Sequence, residues 1–157
     1  MRSRLAAIVA SAVVVVVLGA CPADDDPAAE PLFPADYTAT FREVRPCRRS
    51  GDHDLAYVKI WADPIAFEAY STRTVPFPEG SIVVKEEYAN DACTELDGWT
   101  VMRREAGFDP AHGDWHWQRV EVGRRVSEDG RLERCQSCHA DCGVAPDGHD
   151  GTCSVVE

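Results

Sequence analysis

"GSIVVKEEY", residues 80–88, decides the fold class. Ile82, Val83 and Val84 are branched at Cβ, which costs rotamer freedom in a helix and packs well on a pleated surface. Pro78 and Gly80 stand at its start and Asn90 with Asp91 follow it, so turn-forming residues bound the run on both sides. The same signature recurs outward along the chain. "DLAYVKIW" (54–61) precedes it, and "WTVMRRE" (99–105) and "DWHWQRVEV" (114–122) follow, among Gly, Asp and Pro turn signals. One helix interrupts the series. Asp63 is a good N-cap, Pro64 suits the first helical position, and "IAFEAY" (65–70) spaces apolar residues at helical intervals. The order is strand, helix, then three strands, and the short later connections favour antiparallel neighbours. The expectation is an α+β fold: a single domain dominated by an antiparallel β-sheet, with a few helices and a separate C-terminal segment.

The first twenty residues stand outside that fold. Arg2 and Arg4 precede the apolar run "LAAIVASAVVVVVLGA", which ends in small residues and is too short for a comfortable membrane span. It closes on Leu18-Gly19-Ala20-Cys21, which resembles a bacterial lipobox, where cleavage before the cysteine frees its sulfur for diacylglycerol. The expected organisation is a lipoprotein signal at 1–20, a flexible acidic, Pro-rich tether at 21–36, and a domain at 37–157. The mature chain is then exported to the periplasmic side of a bacterial membrane and anchored through Cys21. Without Arg2 and Arg4, 14 basic residues face 27 acidic ones, a formal charge of −13. A surface this acidic excludes nucleic acid as a partner and leaves the lipid as the only membrane contact.

Seven cysteines in an exported chain do not remain free thiols. Three of them lie in "ERCQSCHADC" (133–142), beside His139. A redox Cys-x-x-Cys follows a buried strand in a βαβ unit, and "VSEDGRLER" (126–134) has no such pattern. A zinc site from Cys135, Cys138, His139 and Cys142 sets two ligands on adjacent residues and strands Cys153 without a partner. The remaining reading of Cys135-x-x-Cys138-His139 is the attachment site of a c-type haem: two thioethers hold the porphyrin and His139 is the axial ligand of the iron. Setting aside Cys21, Cys135 and Cys138 leaves Cys47, Cys93, Cys142 and Cys153. Four cysteines allow three pairings; the short Gly/Asp-rich loop favours Cys142–Cys153, and Cys47–Cys93 then follows by elimination. That loop, "APDGHDGTC" (145–153), hints at calcium but lacks the spacing and closing glutamate of an EF-hand.

The only methionines are Met1, lost with the signal, and Met102, which reads as core filling in a strand. His53, His112 and His149 lie in or near turns, so no second axial ligand stands out, which favours a five-coordinate iron with an open face. "PFPEGSIVVKEEY" (76–88), "WTVMRREAGFDPAHGDWHWQ" (99–118) and the terminal "CQSCH" (135–139) together resemble the cytochrome P-460 family over about residues 54–140. The resemblance implies a mostly β-sheet, homodimeric protein with one five-coordinate haem c. It implies oxidation of hydroxylamine to nitrous oxide by way of nitric oxide, with the electrons passing to a periplasmic acceptor. A related branch, cytochrome c-prime-beta, implies capture of nitric oxide instead, and a simple electron-transfer cytochrome is a third reading.

Catalytic members of the family carry a lysine-to-porphyrin bond, a role the resemblance places on Lys85. The chain has fourteen arginines and only two lysines, Lys59 and Lys85, and only an amine can lose its proton to become a nucleophile. Lys59 is the alternative donor, or a cation in the distal pocket. Proton removal needs a base near the iron, for which His116, Glu86 and Glu87 are candidates. In a strand His116 points away from Trp115 and Trp117, so one face lines a pocket while the other packs.

Overall fold

The computed structural model describes residues 29–51, 56–142 and 149–153; the signal, Cys21, the first part of the tether and His53 lie outside them. Six strands form one antiparallel sheet in chain order: β1 (Arg42–Arg49), β2 (Tyr57–Ala62), β3 (Ile82–Tyr88), β4 (Leu96–Arg104), β5 (Trp115–Glu121) and β6 (Val126–Gly130). Helix α1 (Pro64–Thr72) follows β2, and α2 (Glu133–Ala140) follows β6. Four strands match the Val/Ile-rich runs of the sequence. The two additional ones are the sheet edges, β1 and β6. β1 contains Pro46, four arginines and register shifts on both sides of Arg45, and β6 is short and acidic. Charge, proline and bulges keep exposed edges from pairing with other chains, and the same residues hide a strand from a hydrophobic pattern.

Cross-strand register sorts the side chains onto two faces. Lys85 pairs with Ile60 on one side and Thr100 on the other, and Thr100 pairs with Arg119. Val83, Met102 and Trp117 form a second such row on the same face. Helix α1 closes part of this face: Ala66, Ala69 and Tyr70 are buried with Phe77, Met102, Trp115 and Trp117 in one core. Asp63 sets the helix in place, its Oδ1 accepting from Ala66 N at 2.8 Å and from Ile82 N at 3.0 Å.

The opposite face carries the second core, of Phe33, Tyr37, Phe41, Val84, Trp99, Val101 and Val120. Phe33 is buried, Leu32 N donates to Gln118 Oε1 at 2.8 Å, and Gln118 Nε2 donates to the Glu30 carbonyl at 3.0 Å. Packing therefore begins before the expected domain start at Tyr37. Proline and acid made this stretch read as spacer, yet two apolar residues within it suffice to dock it. Cys47 is bonded to Cys93, and Cys142 to Cys153. Among the described residues no helix is long and apolar enough to cross a membrane.

Candidate functional site

Spacings of three and four put Cys135, Cys138 and His139 on one side of α2. All three line a cavity of about 260 Å³ over the first sheet face. Apolar parts of its wall come from Val58, Ile60, Val83, Met102, Trp117 and Tyr70. Lys85 and Thr100 supply polar groups from the strands, and Arg48 and Arg49 from the end of β1. Gln136 turns elsewhere and fixes the helix, donating to Asp109 Oδ2 at 2.5 Å, while Leu132 packs against the core.

Cys135 and Cys138 are both free thiols, whereas the other described cysteines are bonded in pairs. Burial pushes the Cys135 thiol up, opposed by the hydrogen bond and charge of Arg134 and more weakly by the charge of Lys85. Lys85 thus sits within electrostatic reach of the motif cysteine. The His139 ring packs edge-on against Trp117 at 4.6 Å between centroids. Its Nδ1 lies 2.5 Å from the Gly151 carbonyl oxygen, which can only accept. In the neutral ring Nδ1 therefore carries the hydrogen, and Nε2 keeps its lone pair for a metal. Donor atoms of His139, Cys142 and Cys153 lie within 4.8 Å of one another, but the bond between the two sulfurs removes the thiolates a zinc site needs.

A family model described as cytochrome P460 matches residues 34–145, well over half of the chain. The chain belongs to the cytochrome P460 family. No curated protein matches it. Membership implies a haem cofactor, and the residues present fit one: a free Cys-x-x-Cys pair, an adjacent imidazole with its far nitrogen already committed, and an apolar cavity beneath them.

The family frame sorts the remaining candidates by face. Lys85 lies on the cavity wall, whereas Lys59 lies on the other face, its ammonium 5.6 Å from the Tyr88 ring centroid. His116 also lies on that other face. Its nitrogens contact Glu105 at 3.0 Å and Asp129 at 2.8 Å, and its ring stacks on Phe108 at 4.5 Å. The alternation in "DWHW" holds, but the cavity is on the tryptophan side, so His116 is corrected from a cavity base to an outer-face residue. Met102 does line the cavity.

The two neighbouring glutamates part in the same way. Glu86 is buried on the outer face and saturated: Tyr37 OH donates to Oε1, and Trp61 Nε1 and Tyr88 OH donate to Oε2, each at 2.8 Å. Burial, reinforced by Glu86, raises the phenols of Tyr37 and Tyr88 well above their usual range. Glu87 is buried on the cavity face, accepting from Thr100 Oγ1 at 3.2 Å and standing 3.4 Å from Arg119 Nη1. Thr100 lines the cavity, so Glu87 reaches it through that hydroxyl. The roles of Arg48, Arg49, Thr100 and Arg119 were missed in the sequence. Strand register, pairing residues far apart in the chain, brings Arg48, Thr100 and Arg119 to this face, while Arg49, paired with Tyr57, borders the cavity at the end of β1.

Proposed function

We propose that this chain is an exported, lipid-anchored mono-haem c protein that oxidises hydroxylamine. The observation that carries the reading is the convergence of Lys85 with Cys135, Cys138 and His139 on one cavity, with Lys59 excluded from it. Cys135 and Cys138 would form the two thioethers, and His139 Nε2 would be the axial ligand. The haem, when bound, supplies an iron that takes electrons from the substrate nitrogen and passes them to a periplasmic acceptor. Two hydroxylamines yield one nitrous oxide and one water, releasing four protons and four electrons.

The chain's own residues handle the protons and the substrate. Val58, Ile60 and Val83 keep bulk water from much of the wall. Glu87 takes up protons through the Thr100 hydroxyl, with Arg119 Nη1 standing 3.4 Å from its carboxylate. Lys85, once freed of its proton, would be the residue able to hold the porphyrin edge covalently. That bond replaces one N–H and one C–H, so its formation needs a two-electron oxidant such as peroxide. The acidic surface docks a basic electron acceptor, and a homodimer is the assembly the family resemblance implies.

The test is the purified protein and its Lys85→Arg variant. The wild type should carry one haem that survives acid-acetone extraction, with a mass two hydrogens below that of simple attachment. Its reduced spectrum should be displaced far to the red, and it should turn over hydroxylamine with an artificial acceptor. Guanidinium stays protonated, so Lys85→Arg should retain haem and nitric oxide binding while losing the displaced spectrum and turnover together. Full activity in Lys85→Arg defeats the assignment. A wild type that binds nitric oxide tightly without turnover is a gas-binding protein of the c-prime-beta kind. Met102 on the cavity wall favours a second reading, an electron carrier with thioether as sixth ligand. A ferric low-spin spectrum that changes in Met102→Leu would establish it.

A further inference from the structure

Residues His149–Cys153 form a strap tied to several elements of the fold. His149 and Thr152 exchange backbone hydrogen bonds at 2.8 and 2.9 Å, which makes the segment a tight turn. His149 is buried, its ring 4.8 Å from that of Phe77, with Nε2 at 2.8 Å from the Thr74 carbonyl. Asp150 Oδ2 accepts from Phe77 N at 2.6 Å and from Arg104 Nη1 at 3.1 Å. Trp115 Nε1 donates to the Asp150 carbonyl at 3.1 Å, and Cys153 is bonded to Cys142, just beyond α2. Between these anchors stands Gly151. Its φ of +80° is a left-handed conformation, and a Cβ there would lie 3.2 Å from Trp115 Nε1. Its carbonyl is the acceptor of the His139 Nδ1 hydrogen.

We infer that this strap is the positioning element of the axial histidine, setting its tautomer, its ring orientation and its strength as an iron ligand. The inference rests on the reading of His139 as haem ligand. A metal-bound imidazole that donates its second N–H to a fixed acceptor becomes a more basic ligand. A more basic ligand favours the ferric state, so the strap holds the haem's reduction potential down. The anchors explain why a backbone carbonyl suffices. Asp150 is held by a main-chain N–H and by Arg104, so its neighbour's carbonyl cannot swing away from the ring. The same contacts give Asp150 and Gly151 of the Asp/Gly-rich loop a structural part: the carboxylate serves Phe77 and Arg104, and the glycine takes the left-handed backbone of the turn.

Three variants of the haem-loaded protein test this: Asp150→Ala, which removes both side-chain anchors; Asp150→Asn, which keeps an acceptor for Phe77 N but loses the charge opposite Arg104; and Gly151→Ala, which crowds Trp115. Haem content by intact mass is read first. Then the reduction potential is measured by spectroelectrochemistry, and the iron–histidine stretch of the ferrous protein by resonance Raman. Asp150→Ala and Gly151→Ala should load haem, shift the potential upward and lower the stretching frequency, with Asp150→Asn between them and wild type. A strap that merely stabilises the fold would lower the denaturation midpoint and leave potential and stretch where they are, which overturns the inference. Should Gly151→Ala fail to fold, the Asp150 pair decides alone. A wild type without covalent haem defeats the underlying reading instead, a result visible before any potential is measured.

Discussion

Glu86 and Glu87 are adjacent in sequence and opposite in role, and exchanging each for glutamine separates them. In Glu86→Gln the amide oxygen can still serve two of the three donors, but an N–H₂ group now faces a partner that was donating. Tyr37 OH cannot simply reverse at no cost, because it already accepts from Trp99 Nε1 at 3.1 Å. Hydrogen bonds to a charged group contribute about 1.5–3 kcal/mol and neutral ones about 1 kcal/mol. Losing one charge-assisted bond and neutralising the other two should therefore cost about 2.5–7 kcal/mol. With a urea slope of about 2 kcal/mol/M, the midpoint should fall by about 1–3.5 M while the slope stays unchanged. Haem spectrum and hydroxylamine turnover should persist below the transition. Glu87→Gln keeps an acceptor for Thr100 and weakens one pairing with the partly exposed Arg119, so its stability change should stay within about 1 kcal/mol. Its turnover should fall by on the order of 10²-fold, as when a general base is removed. The reverse pattern, with Glu86→Gln inactive but stable and Glu87→Gln active, would refute the assignment of faces.

Asp63→Ala removes a helix cap and leaves Ile82 N–H without its acceptor, which should destabilise the domain by about 2–4 kcal/mol in chemical denaturation. Tyr37, Tyr70 and Tyr88 have an ordinary pKa of 10.0 and are raised above it by burial. The unfolded chain thus loses these protons first as pH rises, so the stability these tyrosines contribute should be level below pH 10 and fall above it. Tyr37→Phe should make that alkaline fall shallower in urea midpoints taken across the range. Cys21→Ser should leave the protein unprocessed or release it from membranes in cell fractionation; unchanged membrane retention and processing would rule out the lipid anchor.

Strands β2 to β5 were legible because each buries branched or aromatic residues, whose periodicity reports burial directly. The edges were not, since Pro46 and the arginines of β1 serve to protect an edge and carry no burial signal. The motif on α2 was legible for a different reason: its three functional groups are fixed by local helical spacing alone. Lysine chemistry left Lys59 and Lys85, the family resemblance pointed to Lys85, and its neighbours drew attention to His116, yet choosing between faces required knowing which side α1 and α2 cover. Alternation assigns residues to two sets; only tertiary packing says which set is the cavity.

That dependence on parity gives the outer face a part in the site it does not touch. Lys85, Glu86 and Glu87 are consecutive, so a one-residue slip of β3 would send Glu86 into the cavity and take Lys85 and Glu87 out of it. The apolar residues of β3 resist such a slip weakly, because Ile82, Val83 and Val84 are similar in size and pack on both faces. Glu86 resists it strongly. After a slip the buried carboxylate would leave Tyr37 and Trp61 unmet on one face and lack both of them on the other, with only Tyr88 of the same strand moving with it. Between β2 and β3 the pairing runs unbroken from Tyr57↔Tyr88 to Ala62↔Val83, and the donors to Glu86 come from β2, β3 and the N-terminal arm. The docking of that arm through Tyr37 thus fixes the register that presents Lys85 to the motif cysteines.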